Sequence, residues 1–509
     1  MESRARVDRN EVFVEYTKSI CPVCKVVVDA EVNARDNRLY LRKRCPDHGG
    51  FEALLYSRAD WYFDSVRFNK PGTIPLETQT EVSRGCPLDC GLCPDHKQHA
   101  CLGILEVNSN CNLDCPICFA GSGHHAQGFS LTLEQVEAGL DALVAAEGAP
   151  EVVMLSGGEP TIHPLILEFI ALARAKGIGM VTLNTNGVRL ARDRRFAEAL
   201  AGLEPVIYLQ FDGFDEQTHL RLRGRDLRAV KEQALQRCAD LGLAVALVAA
   251  VERGVNDHEV GAIVRHAVSH PAVRSVVLQP VTHAGRHLPF DPMERLTNPD
   301  VISSIVEQLP GWFAPSDFFP VPCCFPTCRS VTYVLADGDT VVPLPRLLPL
   351  EHYLDYLTNR VLPDPSIRGA LEKLWSASAT PGSDSMASQL ECLACGLDSP
   401  KALDRLAQRA LMIVVQDFQD AYTLNVRQLM KCCVVEIVPD GRLIPFCAYN
   451  SVGYREQVWE QLSGAPVPAM VPNAAGLQAI LRPTPFGFQT AGGPGGRGPD
   501  ATNRGKGLP

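Results

Sequence analysis

The sequence has no apolar run that could span a bilayer. Its longest apolar stretches, Leu241–Val251 and Leu411–Val415, fall well short of the roughly 20 residues that a transmembrane helix needs. The segment MESRARVDRN at the start lacks the apolar region of a secretory signal. The chain also lacks an excess of positive charge, since its formal net charge is −10 over 509 residues. These absences predict a cytoplasmic protein with no general nucleic-acid-binding surface.

Cysteine, by contrast, is abundant. The chain contains 19 cysteines, an odd number that cannot pair completely as disulfides. A reducing compartment does not favour disulfides either, so clustered thiols in such a protein indicate bound metal. Almost all of the cysteines fall into groups with the short spacings of metal ligands, whereas Cys238 stands alone in a helical stretch and is expected to be a core residue.

Strand and helix patterns alternate through the middle of the chain. Six apolar strand candidates begin at Leu102 and end at Gln279, with helical stretches between them. This alternation predicts an α/β fold with a parallel sheet, curled into a partial (β/α)6 barrel whose chemistry lies at the carboxyl ends of the strands. The expected divisions are a metal-knuckle module (1–75), an auxiliary-cluster segment (76–101), the core (102–300), a C-terminal auxiliary-cluster domain (301–460) and a disordered tail (461–509).

Two cysteine motifs share the spacing C-x3-C-x2-C. Three thiolates on one loop can hold three irons of a 4Fe–4S cluster and leave the fourth iron open. The motif at Cys111, Cys115 and Cys118 directly follows the first strand of the series and has no further cysteine nearby. The earlier motif has a natural fourth ligand, so it is predicted to hold a closed auxiliary cluster through Cys86, Cys90, Cys93 and Cys101.

The open motif, NSNCNLDCPICFAG, resembles the radical S-adenosylmethionine (SAM) superfamily, in which SAM chelates the open iron. The sequence SGGEP after the next strand resembles the superfamily's GGEP motif, and LNTNG and LQFDG end later strands. Isolated strand-to-helix turns or loop caps are the alternative reading of these segments. Ile117 departs from the aromatic residue of many members. The resemblance implies SAM contacts from Gly157, Gly158, Glu159, Asn184 and Asp212.

The remaining cysteines predict two further metal sites. A C-x2-C pair and a C-x2-H pair, twenty residues apart, have the spacing of a rubredoxin-like or zinc-ribbon-like site for one Fe or Zn. Adjacent thiols rarely reach one cluster together, so one cysteine of each adjacent pair near the C-terminus is expected to bind, with Cys392 and Cys395 as alternative ligands. The mononuclear site comprises Cys21, Cys24, Cys45 and His48, and the C-terminal 4Fe–4S site comprises Cys323, Cys328, Cys433 and Cys447.

The order of these motifs, over roughly residues 15 to 455, resembles the archaeal tetraether lipid synthase family and its bacterial relatives. The resemblance implies a SAM-dependent enzyme with three 4Fe–4S clusters and one mononuclear ion. It also implies a reductant protein such as ferredoxin or flavodoxin, and a lipid or small-molecule substrate that allows peripheral membrane association. Members join lipid tails through carbon–carbon bonds, and one was proposed to methylate a pterin precursor.

Three functions follow from this reading. The main expectation is carbon–carbon bond formation on lipid tails by a 5′-deoxyadenosyl radical that abstracts hydrogen from unactivated carbon. The alternative is radical methylation of a pterin-like small molecule. The third is a non-catalytic Fe–S scaffold, which the acidic charge and the SAM-binding motifs disfavour.

Overall fold

The structure is a computed structural model that describes residues 10–123, 128–321, 324–337, 340–346, 357–358, 360–361 and 410–464. Of the predicted ligands, Cys323, Cys392 and Cys395 lie outside these ranges, as does most of the predicted tail. Within the ranges, no helix has the length and apolar character required to cross a membrane.

The strands of the described residues are β1 (Val12–Ile20), β2 (Val27–Arg35), β3 (Arg38–Cys45), β4 (Gly49–Tyr56), β5 (Leu102–Glu106), β6 (Val152–Ser156), β7 (Met180–Thr185), β8 (Val206–Gln210), β9 (Val245–Val251), β10 (Val273–Pro280), β11 (Phe319–Pro320), β12 (Arg329–Asp337), β13 (Thr340–Pro343), β14 (Leu357–Thr358), β15 (Arg360–Val361), β16 (Ala410–Gln416), β17 (Val434–Ile437) and β18 (Leu443–Pro445).

The α-helices of the same ranges are α1 (Ala59–Val66), α2 (Leu133–Glu147), α3 (Ile166–Ala175), α4 (Val188–Arg192), α5 (Arg194–Ala201), α6 (Glu216–Arg223), α7 (Arg228–Asp240), α8 (Val260–Ser269), α9 (Asn298–Gln308), α10 (Val426–Leu429), α11 (Phe446–Val452) and α12 (Tyr454–Ser463). Short 3-10 helices occupy Pro160–Ile162, Asp257–Glu259, Pro315–Asp317 and Leu344–Arg346.

The N-terminal module is an antiparallel sheet in the order β1-β2-β3-β4. Its β2–β3 turn consists of Asp36 and Asn37, whose φ angles of 51° and 55° match the left-handed turn that suits a two-residue hairpin. The turns β1–β2 and β3–β4 lie at the opposite end of the hairpins from this turn. The first carries Cys21 and Cys24, and the second follows Cys45. The strand pairing therefore brings the two predicted ligand pairs to one end of the module.

The central sheet has the order β11-β12-β16-β10-β9-β8-β7-β6-β5-β17-β18. Its middle strands, β5 to β10, are parallel and adjacent in chain order, as the alternating pattern predicts. Helix α2 begins with a capping box of Thr132 and Gln135. This mixed sheet with helical crossovers agrees with the predicted α/β class, while closure into a partial barrel stays a prediction.

The segment after residue 300 is not separate from this sheet. Strand β16 pairs in parallel with β10, and β17 pairs in parallel with β5, so the C-terminal segment supplies a strand to each edge of the series. Both edges of a six-stranded series expose unpaired backbone groups, which the added strands satisfy. The boundary predicted at residue 300 between a core and a C-terminal domain therefore does not divide the described sheet.

The two faces of the sheet have different neighbours. Leu105 and Val153 pack with Leu140 and Leu143 of α2 in the main hydrophobic core. Adjacent residues along a strand point to opposite faces, so Ile104 faces away from the helices. The side chains of that second face form one wall of the main cavity.

Candidate active site and metal centres

A cavity of about 450 Å³ lies on the face of the central sheet opposite the helices. Alternate strand residues form its inner wall, including the apolar side chains of Ile104, Met154, Val248 and Val277. The carboxyl ends of the parallel strands meet at one end of this wall, where the sequence predicts the chemistry. The predicted site residues that line the cavity there are Cys111, Cys115, Cys118, Gly157, Gly158, Glu159 and Asn184.

The cysteine loop is held by backbone hydrogen bonds on both sides. The amide of Cys111 donates to the carbonyl of Gly123 at 3.0 Å. Cys118 and Arg286 exchange two backbone hydrogen bonds, of 2.8 and 2.9 Å, as an isolated antiparallel bridge. The loop is therefore tied to the segment that follows β10.

The Arg286 side chain also binds the cysteine loop, through its backbone carbonyl groups. Its guanidinium donates to the carbonyl oxygens of Cys115 at 3.1 Å and Gly121 at 3.0 Å, and also to that of Ser122. Sequence reasoning missed this residue, because no local motif marks an arginine that lies about 170 positions from its partners. Its place directly after the sixth strand is the signal that could have found it.

The backbone of the two GGEP glycines packs closely against the segment that leads into the cysteine loop. The amide of Gly158 donates to the Asn108 carbonyl at 2.8 Å, and a Cβ on Gly158 would lie 2.1 Å from the Asn110 carbonyl oxygen. Gly157 has a φ of +133°, a value that favours glycine. The motif therefore fixes the loop that leads into Cys111, while both glycines also line the cavity.

Glu159 joins the ends of two strands. Its buried carboxylate accepts hydrogen bonds from the hydroxyls of Thr161 (2.5 Å) and Thr185 (2.7 Å) and from the amide of Asn186 (2.8 Å). Burial raises the pKa of Glu159 in spite of these bonds. Nearby, the side-chain amide of Asn184 donates a hydrogen bond to the Ser156 hydroxyl at 3.0 Å. Glu159 thus positions the strand ends, and its contact with SAM stays a prediction.

Asp212 holds the side chain of Arg223, which lines the cavity. The fully buried Asp212 carboxylate accepts two hydrogen bonds of 2.7 Å from the Arg223 guanidinium, and Arg223 lines the cavity whereas Asp212 does not. Burial raises the pKa of the Cys115 thiol, and the Arg223 positive charge beside it opposes that rise. The geometry favours a positioning role for Asp212, whose predicted SAM contact stays a prediction. Arg223 itself was missed from the sequence.

The loop fits the group that its cysteines predict. Three thiols on one loop face the cavity, and that loop carries no fourth cysteine, which is the donor set of a 4Fe–4S cluster with an open iron. The two glycines and Asn184 line the cavity at the same strand ends, and their contact with SAM stays a prediction.

The N-terminal module brings its four predicted ligands together. One side-chain ligand atom from each of Cys21, Cys24, Cys45 and His48 lies within 4.8 Å of the others. The Cys24 and Cys45 sulfurs are 3.8 Å apart, and His48 Nδ1 lies 3.5 Å from the Cys45 sulfur. Three sulfurs and one imidazole nitrogen at these separations suit a single tetrahedral ion.

The predicted auxiliary cysteines line two different cavities. Cys86, Cys90 and Cys93 line one small cleft beside His96. Cys101 lines the main cavity, and its amide donates to the Cys433 carbonyl at 2.8 Å at the start of β5. A cluster held by all four cysteines stays a prediction.

The C-terminal cysteines also lie near the main cavity. Cys433 and Cys447 line it, and the Cys447 thiol accepts a hydrogen bond of 3.4 Å from the backbone amide of Gln419. The nearby Cys432 thiol, which is outside the predicted ligand set, and burial raise the pKa of Cys447. The Cys328 sulfur accepts a hydrogen bond of 2.8 Å from the Gln428 side chain. The complete predicted set stays a prediction, since Cys323 lies outside the described residues.

Two family models match the chain. The model of the radical SAM superfamily matches residues 105–267, which contain the cysteine loop and the GGEP motif. The model of the HMPTM N-terminal zinc ribbon domain matches residues 13–57, which contain all four ligands of the N-terminal module.

Among curated proteins, the chain is similar to the 7,8-dihydro-6-hydroxymethylpterin dimethyltransferase of Methanocaldococcus jannaschii. The two are 33% identical over 485 residues, which cover 88% of this chain and 95% of the relative. It is also similar to the GTP 3′,8-cyclase of Chlorobaculum tepidum, at 37% identity over 146 residues that cover 28% of this chain and 43% of that enzyme.

Solved structures resemble the chain over a smaller part. Native anSMEcpe with bound AdoMet and the Cp18Cys peptide is 20% identical and has a TM-score of 0.32, covering 41% of this chain and 58% of that one. Streptococcus suis SuiB bound to S-adenosylmethionine is 14% identical with a TM-score of 0.32, covering 41% and 43%.

Proposed function

This chain belongs to the radical SAM family that includes the pterin dimethyltransferase of M. jannaschii, and from that premise we propose that it methylates a pterin-like small molecule. The resemblance to that relative extends over nearly all of both chains, so it includes the metal module, the core and the C-terminal segment. The cavity volume of about 450 Å³ also falls within the usual range for sites that bind small molecules.

The expected coupling of lipid tails was wrong. The relative that matches almost the whole chain is a pterin dimethyltransferase, and this finding also removes the lipid substrate expected from the sequence. Related enzymes share the order of metal motifs while their substrates differ, because substrate choice depends on the cavity rather than on the cluster ligands. The cysteine pattern alone could not separate the two reactions.

The chain is a radical SAM enzyme and depends on SAM and a 4Fe–4S cluster. When bound, the reduced cluster and SAM together supply one-electron cleavage of the SAM sulfonium and a 5′-deoxyadenosyl radical. The protein would hold the cluster through Cys111, Cys115 and Cys118. Arg286 keeps their loop in place through its three carbonyl contacts, and Arg223 supplies a buried positive charge beside Cys115.

We propose two further metal-binding regions. The zinc-ribbon module would hold Zn through its three cysteines and His48, and the ion would join two turns at one end of the sheet, which suits a role in folding. Cys86, Cys90 and Cys93 would belong to one auxiliary 4Fe–4S cluster. The cysteines around β17 would hold a third cluster, next to the cavity. Reduction would come from a small electron-transfer protein such as ferredoxin or flavodoxin.

Anaerobic turnover tests the proposed reaction. Reduced, reconstituted enzyme is incubated with 7,8-dihydro-6-hydroxymethylpterin and SAM that carries a CD3 group on its sulfonium. We expect deuterium in the pterin product, because a methyltransferase moves that carbon from SAM to substrate. One S-adenosylhomocysteine should form for each methyl group transferred, and a further SAM should yield methionine and 5′-deoxyadenosine for the hydrogen abstraction. Mass spectrometry of the pterin fraction measures the transfer.

The Cys115→Ala variant serves as the control, since it lacks one ligand of the open cluster and should produce no labelled pterin. Pterin recovered without an added methyl group, together with abundant 5′-deoxyadenosine from the wild-type enzyme, would contradict methylation of this substrate. It would leave the radical SAM chemistry intact.

A further inference from the structure

Glu436 is a buried acid that faces the cavity. It lies on β17, opposite Ile104 of β5 in the parallel pairing, and its side chain lines the cavity wall. Only 1% of the residue is exposed, and neither carboxyl oxygen has a hydrogen-bond partner of normal geometry. Buried polar groups are nearly always hydrogen bonded, so an acid left in this state requires an explanation.

The nearby hydrogen-bond donors are bonded not to Glu436 but to the neighbouring acid, Glu106. Its carboxylate accepts hydrogen bonds of 3.0 Å from the Tyr449 hydroxyl and from the Trp459 indole, and it also pairs with the Arg455 guanidinium. Arg455 is further bound to the Asn450 side-chain oxygen at 2.6 Å. Its guanidinium is therefore already engaged by Glu106 and Asn450.

These surroundings favour the neutral form of Glu436. Burial and the negative charge of Glu106 raise the pKa of Glu436 well above its usual value, while Arg455 opposes the rise only in part. A neutral carboxyl group carries one O–H donor beside one C=O acceptor. Glu436 lines a cavity whose adjacent wall is apolar at Ile104 and Phe446.

A pterin offers the complementary pair of groups. Its 2-aminopyrimidin-4-one ring presents N–H donors directly beside nitrogen or oxygen acceptors, so a neutral carboxyl group can form two parallel hydrogen bonds with one edge. Resting on the proposed function, we propose that Glu436 is a substrate-binding residue that pairs with this edge of the heterocycle. The apolar walls would then contact the two faces of the ring.

Binding without turnover tests this pairing. The ligand is fluorescent 6-hydroxymethylpterin, titrated into reconstituted enzyme with SAM but without reductant. Glu436→Leu, which removes both hydrogen-bonding groups at similar volume, should raise the Kd about tenfold or more. Glu436→Gln keeps one donor and one acceptor and should stay within about threefold of the wild-type Kd.

Glu456→Gln is the matched control. Glu456 is another acid with an unpartnered buried oxygen and a pKa raised by burial, but it does not line the cavity. Its variant should bind the pterin as the wild type does. If Glu436→Leu does not fold, Glu436→Asp replaces it, because the shorter side chain withdraws the carboxyl group and should weaken binding to a similar extent.

The outcomes separate the two claims. If Glu436→Leu, or Glu436→Asp in its place, binds the pterin with the wild-type Kd and iron content, Glu436 is not a substrate-binding residue, while the proposed function stands. An equal loss in Glu456→Gln would also overturn the assignment, because it would trace the loss to burial of any altered acid. If the wild-type enzyme itself does not bind the pterin, the proposed function fails first.

Discussion

Replacing Cys115 with alanine is expected to abolish reductive cleavage of SAM. The residue is one of three thiols on the loop that follows β5, and that loop carries no fourth cysteine that could replace it. Without a stable cluster there is no open iron to bind SAM and deliver an electron. We expect 5′-deoxyadenosine per folded chain to fall more than about 1,000-fold, which corresponds to roughly 4 kcal/mol.

Two cysteine variants provide the controls. Cys90→Ala removes a ligand from the other C-x3-C-x2-C motif, which lies in a separate cleft, and should still yield 5′-deoxyadenosine. Cys238→Ala removes a thiol that is fully buried in the hydrophobic core next to α7 neighbours such as Leu235, and should leave cleavage per folded chain unchanged. Cleavage that survives in Cys115→Ala and vanishes in Cys90→Ala would show that the two loops have been interchanged.

The second large effect concerns stability. Asp212→Ala should lower the free energy of unfolding by roughly 3–5 kcal/mol, the usual result of removing one partner from a buried ion pair. The Arg223 guanidinium would then keep its burial without the two 2.7 Å bonds that now satisfy it. Anaerobic urea denaturation, followed by circular dichroism, measures the change.

Glu198→Ala is the comparison for this variant. Glu198 pairs with Arg194 at 2.7 Å on the exposed surface of α5, where both side chains are largely open to solvent. Removing an exposed pair has little effect on stability, so no clear shift of the urea midpoint is expected. Equal midpoints for Asp212→Ala and the wild type would mean that the buried pair does not stabilise this strand end.

Much of the fold could be predicted from local pattern. Six apolar strand candidates were predicted from Leu102 to Gln279, and the six strands β5 to β10 extend from Leu102 to Pro280. Such strands are short apolar runs between amphipathic helices, and this pattern is present in the sequence itself. The radical SAM cysteine loop could also be predicted from the sequence, because its three ligands lie close together in the chain.

The unpredicted features depend on contacts between distant segments. Strand β17 pairs with β5 although more than 300 residues separate them, and the Cys101 amide at the start of β5 donates to the Cys433 carbonyl. Arg286 and Glu436 carry no local signature either, since their importance comes from the carbonyls and acids that the fold places beside them. The substrate was predicted wrongly for a similar reason. The walls of the cavity come from many strands, so no local sequence motif describes them.

The central claim is that SAM binds an open iron held by the Cys111 loop. Electron paramagnetic resonance of the reduced holoenzyme, recorded before and after addition of SAM, tests it directly. We expect SAM to change the cluster signal in the wild type and in Cys90→Ala, and to have no effect in Cys115→Ala. A wild-type signal that SAM leaves unchanged, or a SAM-dependent change that persists in Cys115→Ala, would contradict the assignment.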